Sequence, residues 1–140
     1  MSKRDDFLNT LSGQGPVESV PVWELEFHPF DRFVNGRKLM LGAEFMALSA
    51  DGRERALHSN AEIIISVATE LDMAAVTVPS RYWEVAPGHP AYWIIQDGYY
   101  DQIKVLNKLK PKDLALVGNS GGVMSMPGAE SYLDFSYKLF

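Results

Sequence analysis

The sequence predicts an α/β domain built on short parallel strands, and three observations lead there. A long amphipathic stretch over 52–71 runs straight into the apolar run Met73-Ala74-Ala75-Val76-Thr77-Val78. The same order recurs downstream, where a helical stretch over 97–110 precedes Leu114-Ala115-Leu116-Val117-Gly118. A first apolar run, Val20-Pro21-Val22-Trp23-Glu24-Leu25-Glu26-Phe27, opens the series. A short apolar run directly after a helix marks a strand buried on both faces of a mainly parallel sheet. Strand and helix in alternation give a β/α architecture with right-handed crossovers, in which the three parallel strands are expected adjacent in chain order with helices on one face. Three strands are too few for a closed barrel and marginal for an open doubly wound sheet.

Taken in order, residues 2–11 predict a short helix with Ser2 as N-cap and Asp5 as the acid three residues on. Phe7, Leu8 and Leu11 form its apolar stripe. Ser12-Gly13-Gln14-Gly15-Pro16 ends it, because two glycines and a proline do not continue a helix. After the opening strand, residues 30–37 predict a short helical turn ended at Asn35-Gly36. Residues 38–49 fit no single period and are expected to be irregular or weakly helical. In the helix over 52–71, Leu57, Ala61, Ile64, Ile65, Ala68 and Leu71 make one apolar face, with Arg53, Arg55, Asn60, Glu62 and Glu70 mainly elsewhere. In the helix over 97–110 the corresponding face is Tyr99, Ile103, Leu106 and Leu109. A last helix is expected from Pro127 to Phe140. Over 131–140 it is apolar nearly all round and lacks a glycine or proline stop, so the chain is expected to be the first part of something longer.

Composition narrows the function classes. The chain has 140 residues, of which 46% are hydrophobic, enough for one domain (1–140) with a real core. Net charge is −5 with no basic block, which argues against a nucleic-acid surface. There is no cysteine, so a disulfide framework and a thiolate metal site are excluded. The first residues lack the apolar core of a secretion signal, and no apolar run approaches a membrane span, so a soluble cytoplasmic protein is expected.

The opening strand carries the most chemistry. Alternation puts Trp23, Leu25 and Phe27 on one face and Val22, Glu24, Glu26 and His28 on the other. Two carboxylates and an imidazole in one row are costly to bury without partners. Two readings stand: a core strand whose far end opens into a polar pocket, and an edge strand with one wet face. Elsewhere, Gly118-x-x-Gly121-Gly122 either cradles an anion or only permits a turn after a strand. Tyr82, Trp83, Tyr92 and Trp93 flank the loop Val85-Ala86-Pro87-Gly88-His89-Pro90, where they either cover a flat apolar ligand or pin the loop to the core. His89 reads as a turn residue and His58 as solvated helix surface.

Arg4-Asp5-Asp6-Phe7-Leu8 followed by Val20-Pro21-Val22-Trp23 resembles the opening of the uroporphyrinogen decarboxylase superfamily, which includes the corrinoid-dependent methyltransferases. Residues 60–78 resemble that family's next helix and second strand. Leu116-Val117-Gly118-Asn119-Ser120-Gly121-Gly122-Val123-Met124 resembles its third-strand segment. The resemblance runs over the whole chain and implies the N-terminal half of a (β/α)8 barrel, with about three parallel strands. Two departures bear on activity. Decarboxylases follow the first strand with an arginine-bearing segment that grips the porphyrinogen's carboxylates, where this chain has Glu24-Leu25-Glu26-Phe27-His28-Pro29. They also end the second strand with an aspartate, where this chain has Val78-Pro79-Ser80-Arg81. The methyltransferase-like branch is therefore the nearer expectation.

The resemblance implies a ligand at the C-terminal ends of the strands. Glu24, Glu26 and His28 close the first strand, Thr77, Ser80, Arg81 and Tyr82 follow the second, and Asn119 and Ser120 follow the third. Glu26 and His28 are the expected acid–base residues, since burial raises a carboxylate's pKa and imidazole titrates near neutrality. Glu24, Ser80, Arg81, Tyr82, Asn119 and Ser120 are the expected substrate-binding residues, for a small molecule in the barrel mouth. A metal at Glu26 and His28 is not expected, because two ligands from one strand make no site without others. No cofactor is expected in this chain; zinc or a corrinoid enters only with the later half of the barrel. The alternative is a non-catalytic α/β binding or assembly module, acting with a second copy or a completing chain.

Overall fold

The computed structural model describes residues 2–15, 20–24, 30–78, 83–85, 91–93, 98–119 and 137–139. Helix α1 (Lys3–Ser12) starts as the sequence predicts: Ser2 Oγ accepts from the Asp5 backbone N–H, and the Asp5 carboxylate accepts from the Ser2 N–H. It ends in a Schellman turn, with left-handed Gly13 (φ 65°) donating to Thr10 O and Gln14 to Asn9 O. Of its apolar stripe, Phe7 is buried, whereas Leu11 is 59% exposed. A 3-10 turn (Phe30–Phe33) follows and closes through Asn35 and Gly36, both at positive φ. Within 38–49 a single helical turn forms, α2 (Gly42–Met46).

Helix α3 (Ala50–Glu70) begins two residues earlier than the periodicity predicts, because Ser49 caps it through the Gly52 N–H. Its buried face is Ala56, Asn60, Ala61, Ile63, Ile64, Val67 and Ala68. Asn60, expected off this face, lies on it and is 1% exposed. Burial is tolerated because the amide is fully engaged. Its Oδ1 accepts from Met40 N–H, and its Nδ2 donates to Met40 O and to Gln102 Oε1. Gln102, on α4 (Tyr99–Leu109), in turn donates to Leu57 O. This amide pair joins α3, α4 and the 38–41 segment through the core. His58 is exposed, as the sequence predicts.

Strand β1 (Ala75–Thr77) pairs in parallel with β4 (Ala115–Asn119), Val76 opposite Leu116. Residues 73–78 and 114–117 are buried, which fulfils the expectation of strands covered on both faces. Residues 20–24 flank β1 on the side away from β4: Ala74 N–H donates to Val22 O, and Thr77 Oγ1 donates to Glu24 O. The two runs advance in the same direction, yet 20–24 is extended chain tied by these two bonds and not a strand of the sheet. The strand predicted over 20–27 is not formed over its described part, where Pro21 has no N–H for a ladder, and the parallel pair is β1 with β4. The fold is α/β.

Three further expectations are corrected. Helices cover both faces of the sheet, not one. Val76, Val78, Leu114 and Leu116 face α3, α4 and Phe30, while Ala74, Ala75, Ala115 and Val117 face Phe7 of α1, with Trp23 packed beside them. Alternation along the strands produces the two faces, and the small residues leave room for α1. Second, Tyr137–Leu139 is a strand, β5, antiparallel to β4 with Gly118 opposite Lys138, and not the end of a helix. Its alternating apolar side chains suit a sheet as well as a helix, and β4 offers a free edge. Third, the aromatic stretch expected as a loop contains an antiparallel pair, β2 (Trp83–Val85) and β3 (Ala91–Trp93), with Trp83 opposite Trp93. Aromatic and β-branched residues on either side of a Pro-Gly segment are hairpin chemistry.

Candidate functional site

The C-terminal ends of the parallel strands are the expected ligand end, and Thr77 organises what is described of it. Thr77 is 4% exposed at the end of β1. Its hydroxyl accepts from the Trp23 indole Nε1–H at 3.1 Å and donates to the Glu24 carbonyl at 3.3 Å. Trp23 is held from its other side by Phe7, ring centroids 5.4 Å apart and planes at 73°. One buried hydroxyl therefore fixes the first-strand segment to β1 where the strands leave the core.

Glu24 is thereby placed at this end with its side chain exposed, an acceptor on an anchored backbone. Val20 (87% exposed) and Val22 (50% exposed) share its wet environment. Over 20–24 the extended segment thus has one solvated side. Asn119 ends β4 and stands at the same end of the sheet. Glu26, His28, Ser80, Arg81, Tyr82 and Ser120 lie outside the described residues, as do His89 and the Gly121-Gly122 pair. Sequence reasoning placed Trp23 in the core face only. Its second role was signalled by chemistry: a half-buried indole N–H needs an acceptor, and a strand-terminal threonine supplies one.

The opposite end of the sheet holds a cavity of about 270 Å³, lined by Lys3, Thr69, Asp72, Met73, Asp113 and Leu114 among others. Lys3 pairs with Asp72, and both side chains are largely solvated. Nearby, desolvation and the Arg4 charge lower the Lys110 pKa, opposed by Asp113. This is the N-terminal end of β1 and β4, where conserved groups in β/α folds serve stability, and here it seats the first turn of α1.

Compared with protein-family models, curated proteins and solved structures, the chain matches none. Among the described residues no three His, Cys, Asp or Glu side chains converge to hold a metal ion. Among them, too, no helix is long and apolar enough to cross a membrane.

Proposed function

We propose that this chain forms the opening segments of a uroporphyrinogen decarboxylase-like (β/α)8 barrel whose ligand end lies at Glu24, Thr77 and Asn119, closer to the corrinoid methyltransferase branch than to the decarboxylases. The observation that carries it is the parallel, in-order placement of 20–24, β1 and β4, with α3 and α4 preceding the second and third strand. It agrees with the resemblance of the same three segments. At that end Glu24 presents a carboxylate, while the Thr77 hydroxyl is engaged by Trp23 and the Glu24 carbonyl. A porphyrin octacarboxylate meets repulsion from Glu24 and from the neighbouring Glu26 in sequence. A corrinoid, whose rim carries neutral amides, donates hydrogen bonds to the same carboxylates. Glu26 and His28 remain the proposed acid–base residues and Ser80, Arg81, Tyr82 and Ser120 the proposed contacts of a small-molecule ligand. Zinc does not fit the described residues, among which no three ligating side chains converge.

Equilibrium titration with hydroxocobalamin and with a porphyrin octacarboxylate, followed by tryptophan fluorescence, tests this reading. Saturable corrinoid binding weakened by Glu24→Ala is expected, with no porphyrin binding. Micromolar porphyrin binding without corrinoid binding overturns it.

A second reading has its own observation. In a barrel the outer neighbour of β4 is another parallel strand, yet β5 lies there antiparallel. That pairing favours a non-catalytic α/β assembly module whose extended segment at 20–24 meets a second copy or a completing chain. Light scattering across a concentration series separates the two: a module assembles to a fixed stoichiometry and binds neither tetrapyrrole.

A further inference from the structure

Helix α1 is attached differently from α3 and α4. Those two pack closely against each other and against β1 and β4, whereas α1 approaches no other helix or strand to that degree among the described residues. Only Asp6 and Phe7 of its ten residues are buried. The ion pair of Lys3 with Asp72 is largely solvated and therefore weak. An isolated helix of this length is not stable in water, so α1 exists because Phe7 docks in the small-residue face of Ala74, Ala75, Ala115 and Val117. Just beyond its C-terminus, Gly13 and Gly15 both take left-handed backbone, which glycine adopts without strain.

Phe7 does more than fill that face, because its ring lies edge-on to Trp23. From there the contacts are continuous: Trp23 Nε1–H to Thr77 Oγ1, and Thr77 Oγ1–H to the carbonyl of Glu24. Every link joins the strap to the first-strand segment or the segment to β1. With Phe7 withdrawn, the indole loses its only described aromatic neighbour.

We propose that α1 is a detachable strap whose docking, transmitted through Trp23 and Thr77, fixes the position of Glu24 at the far end of the sheet. The inference rests on the preceding reading only in taking that end as the ligand end. The coupling is reciprocal by linkage: the factor by which docked α1 strengthens the Trp23–Thr77 bond is the factor by which that bond strengthens the docking of α1.

Hydrogen exchange on the ligand-free protein tests it, by mass spectrometry for backbone amides and by NMR for the indole. The Trp23 indole signal is assigned by its loss in Trp23→Phe, since the chain has three tryptophans. α1 amides are expected to exchange well before those of α3, β1 and β4. Phe7→Ala removes α1 protection, leaves β1 and β4 protected, and speeds Trp23 indole exchange. Thr77→Val, which keeps shape and deletes the hydroxyl, lowers α1 protection by about tenfold, and Thr77→Ser restores it. Exchange of α1 and the sheet in one cooperative step overturns the proposal, as does unfolding of the whole chain by Phe7→Ala. Unchanged α1 protection in Thr77→Val overturns the coupling. Because no ligand is present, the tetrapyrrole titration and this experiment fail independently.

Discussion

An alanine at position 98 would drive its Cβ into the ring edge of Phe45, on a backbone whose φ of +88° already disfavours any side chain. Gly98 is the N-cap of α4, and its carbonyl accepts from Gln102 N–H, so the helix start moves if the residue moves. Gly98→Ala is expected to lower unfolding free energy by about 2–4 kcal/mol in urea denaturation, from strain and overpacking together. Asn60 is the second such residue. Asn60→Ala leaves the Met40 peptide groups and Gln102 Oε1 without their partner in a buried setting, a loss of roughly 2–4 kcal/mol. A double-mutant cycle with Gln102→Ala should return a coupling of about 1 kcal/mol or more, because the two share one network. Asp5 gives a pH signature. Hydrogen bonds from Ser2 hold its carboxyl below its ordinary value of 3.8. A depressed carboxylate stabilises above its unfolded pKa and stops doing so as pH falls through the folded one. Helical content over α1 is therefore expected to drop on acidification below about pH 4, and Asp5→Asn should flatten that change in circular dichroism.

At the scale of elements, what was legible in the sequence divides by how each element is held. Residues 52–71 and 97–110 announce their helices because long amphipathic periods are written in many residues at once. The runs around Val76 and Leu116 announce their strands because both faces are buried. Tyr137–Leu139 misleads because three alternating residues fit either period, and only the free edge of β4 decides. Asn60 misleads because periodicity treats every amide as surface, while its partners on Met40 and Gln102 lie far away in sequence. The candidate site was legible as a place, the strand ends, and as the residues Glu24 and Thr77. The indole link was not, since it depends on which residues meet across two strands. Helix α1 was read correctly from its cap, yet the cap says nothing of how firmly it docks. A buried phenylalanine replaced by alanine usually loses about 3–5 kcal/mol. For a strap that opens on its own, the loss is capped by the docking free energy. Phe7→Ala is therefore expected to lower global stability by less than about 2 kcal/mol in the same denaturation assay.

At the scale of the molecule, the sheet runs β1-β4-β5, and residues 20–24 lie extended along the outer side of β1. The Val22 carbonyl faces β1, so Pro21, one residue off in the pleat, stands toward the free side without an N–H to offer. Val20 and Val22 are nonetheless exposed there. Association through this segment is expected to be concentration-dependent and weakened by Val22→Lys, as measured by light scattering. The chain by itself is expected to give no decarboxylase or methyl-transfer turnover, because reacting groups from several strands must be held around one cavity. Turnover by a purified monomer, abolished by Glu26→Gln or His28→Ala, would refute that.

The pairing of 20–24 with β1 also fixes an order in time. Val22 waits for Ala74, with the 3-10 turn, α2 and α3 between, while β4 meets β1 after the β2–β3 pair and α4, and β5 meets β4 within a shorter stretch. Contacts distant along the chain form late, since their loops must close first. During synthesis the first apolar strand segment emerges early and stays single until the helices and the central pair are in place. The last event in folding is then the arrival of Trp23 against Thr77, bringing Phe7 with it. Substitutions at Trp23 accordingly belong to the unfolding limb of a chevron plot, speeding escape from the native state while leaving the folding rate almost unchanged.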